Sequence, residues 1–231
     1  MSGRDGARGY VYQALVAVFK CFQYDSWNQI KVEPLTNNDK IDILMKQDEV
    51  LIRAIQVKSS INKFGKTDIE KWVKEVKTDI GAMDYELVLI SDGVTKPAKE
   101  FIRKNNQDKT NHVYIENIEG GELGIEKCIN SYILEFLEHY NSECKISVNQ
   151  IDDIAKRIFA ELMKISTNEK WFKKDDLINI IRKKISSNII NEKKVWNKLK
   201  SVAIRLIGIF ALWLSIFVSK GNLRMCVFFR I

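Results

Sequence analysis

Two apolar runs, Ile41–Met45 and Val50–Ser59, flank the polar tetrad Lys46-Gln47-Asp48-Glu49. Such runs around a turn-forming stretch predict a β-hairpin. Residues two apart in a strand share a face, so Gln56 and Lys58 point the same way. A turn around Gln47–Asp48 sets Asp42 opposite position 54 or 56. Opposed residues of an antiparallel pair also share a face. Asp42, Gln56 and Lys58 therefore converge on one patch. A carboxylate and an amide oxygen are hard donors that suit Mg²⁺. The ammonium supplies a compact positive charge for a phosphate or an attacking water.

The flanking sequence supplies a scaffold. Tyr10, Gln13/Ala14, Ala17/Val18 and Cys21/Phe22 repeat at three- and four-residue steps and predict a helix over Tyr10–Phe22. Trp27–Val32 is a strand that stops at Glu33-Pro34, where proline suits a strand end. Leu35–Asp39 is a polar loop, and Ser59–Gly65 is a second loop carrying Ser59, Ser60, Asn62 and Lys63. Thr67-Asp68-Ile69-Glu70 reads as a capping box opening a helix with an apolar stripe of Ile69, Trp72/Val73, Val76 and Ile80. Tyr85–Ser91 is a continuous apolar strand suited to a sheet centre. A short helix at Pro97–Lys104, a strand at His112–Ile118 and a helix at Leu123–Tyr140 follow. This order predicts an α/β fold, a mixed sheet flanked by helices.

Composition bounds the partners. Net charge is +7 and the isoelectric point is near 9.1. That favours a polyanion, either nucleic acid or an anionic membrane surface. The four cysteines are scattered without a CxxC pair, and there are two histidines, which argues against zinc. The pattern suits reduced thiols in a cytosolic protein. From Ser147 the texture changes. Amphipathic helices are expected at Ile151–Ile165 and Asp175–Ile185, and Arg182–Lys200 is dense in lysine. Leu206–Val218 is uncharged and almost wholly apolar. Extended back to Val202, this span approaches the lower limit of about 17 residues for a bilayer helix. The preceding lysines would mark its cytoplasmic side. A short membrane helix, a buried helix and the remnant of a longer gene are the three readings of residues 202–218.

Asp42…Gln56-Val57-Lys58 resembles the core of the PD-(D/E)xK nuclease superfamily, in the variant with Gln in place of the second acid. Gly9-Tyr10-Val11-Tyr12-Gln13, Val32-Glu33, Lys40-Ile41-Asp42-Ile43 and Gln56-Val57-Lys58-Ser59 together resemble the double-stranded DNA endonuclease domain of CBASS anti-phage effectors. The similarity covers roughly Gly3 to Ile90. It implies a restriction-endonuclease-like domain at 1–145, followed by a helical basic region at 146–200 and an apolar segment at 201–231. It implies a metal-dependent endonuclease that hydrolyses double-stranded DNA, in anti-phage defence, with Mg²⁺ or Mn²⁺ as cofactor. Asp42 and Gln56 would be ligands, and Lys58 would act on the attacking water. Gln13 would face the metal from the first helix. Glu33 would be a further ligand, an orienting partner of Lys58 or an exposed strand-end acid. Arg4, Arg8, Ser59, Ser60 and Lys63 would contact phosphates. The expected setting is the cytoplasm, with a tether to the inner membrane through 202–218. A homodimer and an activating partner protein complete the expected assembly. The resembled effectors carry a ligand-sensing domain after the nuclease, and this chain leaves no room for one. The rival reading is a non-catalytic module binding nucleic acid or membrane, with an inactive nuclease-like fold.

Overall fold

The computed structural model describes residues 3–34, 41–77, 84–108, 110, 112–140, 147–168 and 170–185. The elements are α1 (Gly3–Gln23), β1 (Gln29–Val32), β2 (Ile43–Gln47), β3 (Val50–Ser59), α2 (Lys66–Lys77), β4 (Asp84–Ser91), α3 (Lys96–Gln107), β5 (Val113–Glu119), α4 (Gly121–Tyr140), α5 (Val148–Ser166) and β6 (Phe172–Lys173). Helical residues 174–185 follow. The six strands form one sheet in the order β5-β4-β3-β2-β1-β6. β1, β2 and β3 are an antiparallel meander, whereas β3, β4 and β5 run parallel through the α2 and α3 crossovers. The architecture is the mixed sheet flanked by helices that the element order predicts.

The central hairpin turns one residue later than the sequence suggests. Asp48 and Glu49 form the two-residue link, and both have positive φ, 49° and 67°. That is the left-handed backbone a tight hairpin of right-handed twist requires. The register then shifts between Met45 and Lys46, so that Ile43 pairs with Ile55 and Leu44 with Ala54. The shift decides a face. Carried on by one residue, the shifted register directs Asp42 to the Gln56/Lys58 side, while Asp42 itself lies just outside the ladder and donates its N–H to the Ile55 carbonyl.

The two sheet faces have different chemistry. Ala54, Tyr85, Leu87, Leu89, Val113 and Ile115 share one core with Ile69, Val73 and Val76 of α2 and Ala98 of α3. The other face carries α1 and α4. α5 packs on α1, α4 and β1, and β6 pairs with β1. These elements belong to the compact unit Met1–Ile181. A second unit comprises Arg182–Ile231, and only 182–185 of it are described. The apolar segment at 201–231 and the polar loop at Leu35–Asp39 lie outside the described residues. Among the described residues no helix is long and apolar enough to cross a membrane.

Under α1 lies a buried ionic network. Lys20 and Glu86 are both fully buried, with Nζ 2.6 Å from the Glu86 carboxylate. Lys20 also pairs with Glu116 and donates to Gln23 Oε1 at 2.5 Å. Tyr24 donates its hydroxyl to Glu86 at 3.0 Å, and the Arg53 guanidinium lies 4.3 Å from the centre of the Tyr24 ring. Burial holds the Glu86 carboxyl above its ordinary range, opposed by the Lys20 ammonium. Removing one partner of such a pair strands the other charge and costs about 3–5 kcal/mol. Lys20→Met should lower stability by that amount in chemical denaturation. Lys20→Met combined with Glu86→Leu should recover most of it, because Glu116 retains access to water. A double variant no more stable than the single would show that the network is not acting as a charge pair.

Candidate functional site

The open end of the β2–β3 hairpin gathers the polar residues singled out from the sequence. Asp42 immediately precedes β2, and its backbone N–H donates to Ile55 at 3.0 Å. Its carboxylate is gripped on both oxygens. The Val57 N–H donates to Oδ2 at 2.6 Å, and Gln13 Nε2 from α1 donates to Oδ1 at 2.8 Å. Gln56 is 4% exposed and pairs with Leu87, and half-buried Lys58 pairs with Leu89. Both stand on the sheet face covered by α2 and α3. The Lys58 ammonium lies 5.7 Å from the centre of the Trp72 ring. Trp72 reads as a core residue in the sequence; it packs against that core and also borders Lys58. Gln13 reaches Asp42 from the helix on the opposite face, so the carboxylate sits at the margin where both layers meet.

Glu33 is brought to the same end. Its N–H donates to the Asp42 carbonyl at 2.8 Å, while its side chain is exposed. Its φ is 49°, in the left-handed region. Proline normally pushes the preceding residue into the extended region, and Pro34 follows. Backbone held this way costs about 1–3 kcal/mol and clusters at ligand sites.

The electrostatics follow from this geometry. Burial pushes the Asp42 carboxyl up to about 6 from an ordinary 3.8. The Val57 N–H, the Lys58 ammonium and the Gln13 amide oppose the rise, and Glu33 adds to it. Gln13 Oε1 is buried with no hydrogen-bond partner. A desolvated carboxylate beside an orphaned amide oxygen is an environment that a cation would relieve. The oxygen donors of Gln13, Glu33, Asp42 and Gln56 suit a hard divalent ion rather than zinc. These supply two carboxylates; groupings of three or more His, Cys, Asp or Glu fit for a metal are absent among the described residues.

Ser59, Ser60 and Lys63, among the expected phosphate contacts, follow the C-terminal end of β3. β3, β4 and β5 all finish here, and α2, α3 and α4 begin from it. Their N-termini bring partial positive charge to one rim. Open parallel sheets bind ligands at this edge. Ser59 ends β3 opposite Ile90, and Ser60 donates its N–H to Ile90 at 3.0 Å. Lys63 is exposed. Arg8 donates to the Tyr12 hydroxyl at 3.4 Å and lies over the Tyr12 ring. The Arg4 side chain is outside the described residues.

The sequence reading missed the Val57 N–H and the Lys20–Glu86 pair. Lys20 follows Gln13 by seven residues and so belongs to the same helical stripe, which was the available signal.

No family model matches the chain, and no curated protein matches it. Two solved structures are similar. The crystal structure of a protein of unknown function, AF1548, shares 11% identity, covering 69% of this chain and 99% of that one, with a TM-score of 0.31. The small subunit of the heterodimeric restriction endonuclease R.BspD6I shares 12% identity, covering 78% of this chain and 88% of that one, with a TM-score of 0.29. The chemistry of the site rests on its own residues.

The raised Asp42 value fixes the sign of a stability effect. The folded carboxyl binds its proton more tightly than the unfolded one. Stability therefore falls as pH rises from about 4 to about 6, and the full cost persists above. At about two pKa units it is at most ~3 kcal/mol. Asp42→Asn keeps an acceptor for Val57, and a flip of the Gln13 amide would satisfy its orphaned oxygen. In chelator near pH 7.5 this variant should melt about 3–8 °C higher than the parent. The gap should close near pH 4, and Mg²⁺ should raise the melting temperature of the parent alone. A variant less stable at every pH would overturn this account of Asp42.

Proposed function

We propose that the chain is a metal-dependent endonuclease acting on double-stranded DNA. The observation that carries this reading is the Asp42 carboxylate, desolvated and held by Val57 and Gln13 beside the Lys58 strand. Asp42 and Gln56 would hold Mg²⁺ or Mn²⁺, with Gln13 and Glu33 as further oxygen donors. Such an ion supplies charge stabilisation at the scissile phosphate and makes water a better nucleophile.

The protein's own groups set the geometry of the reaction. Val57 and Gln13 fix the Asp42 oxygens, so the carboxylate needs no reordering when substrate arrives. Lys58 would hold or deprotonate the attacking water and, carrying the proton, would face a non-bridging phosphate oxygen. It thereby offsets negative charge that grows in the transition state. Trp72 limits the positions the Lys58 stem can take. Gln56 contributes an uncharged oxygen, so the site carries less negative charge than one built on two buried acids. Weak metal affinity and a requirement for about millimolar Mg²⁺ follow. The helix N-termini, Lys63 and the net charge of +7 would favour a polyanion without reading sequence.

A role in anti-phage defence, an activating partner, a homodimer and a membrane tether through 202–218 belong to this reading on the sequence resemblance alone. The test is cleavage of supercoiled plasmid by the full chain. Cutting should require Mg²⁺ or Mn²⁺ and stop in chelator. Lys58→Ala should cut at least a hundredfold more slowly while melting within a few degrees of the parent. Cleavage undiminished in chelator, or equal in the Lys58→Ala variant, would overturn the mechanism.

A further inference from the structure

Beyond Lys58 the chain leaves the sheet through a short, firmly based projection. Ser60 is tied to β4 through its N–H to Ile90, and its hydroxyl accepts the Asn62 N–H at 3.0 Å. Phe64 closes the projection. Its N–H donates to Gly93 at 3.2 Å, and its carbonyl accepts from Thr95 at 3.0 Å. Its buried ring meets Trp72 edge-on at 5.3 Å. Between these anchors stand Ile61, Asn62 and Lys63, all exposed. Ile61 is 65% exposed, which for an isoleucine on a braced tip leaves apolar surface facing water. Single exposed apolar residues are common on proteins. This one lies three residues beyond Lys58 and two before Lys63, on the rim where α2, α3 and α4 begin and where Leu123, in the first turn of α4, is exposed as well.

We propose that the Ile61-Asn62-Lys63 tip is a wedge that enters a groove of duplex DNA beside the scissile phosphate. The inference rests on the nuclease reading of the Asp42–Lys58 site and adds how the duplex is gripped beside it. Ile61 presses between base steps, as apolar side chains do when they unstack and kink a duplex. Asn62 offers an amide to base edges, and Lys63 meets the backbone phosphate. The charge of Lys63 also acts on Glu119, whose carboxylate is paired with Lys99 at 2.9 Å. The braced base lets the tip transmit force without folding back.

The experiment uses the full chain in chelator, which separates binding from cutting. Fluorescence anisotropy would be read at several salt concentrations, on a duplex of about 20 base pairs and on one of its single strands. The duplex would carry 2-aminopurine at several steps. Ile61→Ser should weaken duplex binding about tenfold. It should leave single-strand affinity and the salt slope unchanged, and abolish the rise in 2-aminopurine fluorescence. Lys63→Ala should instead reduce the slope of log affinity against log salt by about 0.9. Both positions are exposed, and melting temperatures would verify folding. Parent-like duplex affinity and fluorescence in Ile61→Ser would overturn the wedge, as would equal losses on duplex and single strand. A parent chain that binds neither DNA form would overturn the nuclease reading as well.

Discussion

A single ammonium group determines how α1 lies on the sheet. Lys20 is buried where Glu86 and Glu116 can both reach it. Apolar side chains such as Ala17 and Val18 can pack in several neighbouring registers at similar energy. A buried charge cannot, because a slide of one residue leaves it without a counter-ion in a medium that penalises it by several kcal/mol. The pair therefore contributes more to uniqueness than to net stability. Its consequence appears two turns away, about 10 Å along the helix axis, where Gln13 meets the Asp42 carboxylate. Helix register and carboxylate geometry are one problem with one solution.

Much of this arrangement is legible in residue order. Strand periodicity groups Asp42, Gln56 and Lys58, and the alternation of strands and helices specifies the mixed sheet. What escapes has identifiable causes. The grouping of Asp42 depends on the register shift between Met45 and Lys46, which no residue type there announces. A lysine in an amphipathic stripe reads as solvated, and Glu86 inside Tyr85–Ser91 reads as an interruption of an apolar strand; each makes sense only beside the other. The Val57 N–H cannot be singled out, since nearly every residue has one. β6 has two residues and exists through its pairing with β1, so local propensity says nothing of it. Glu33 is the sharpest case, because Pro34 argues for the extended backbone that Glu33 does not adopt.

Three departures from local preference sit together. The left-handed Glu33, the desolvated Asp42 carboxylate and the orphaned Gln13 oxygen all border one end of the β2–β3 hairpin. The buried charges beneath α1, by contrast, have partners for each oxygen and proton donor that the network names. Burial makes the charged form of Asp42 costly in the folded state. Consistency across levels fails in natural proteins chiefly where a ligand restores it. A divalent cation at Asp42 would remove two of the three local costs together, by compensating the carboxylate and engaging the Gln13 oxygen. That economy favours a ligand site over a packing defect, at the end of the hairpin that also carries Lys58.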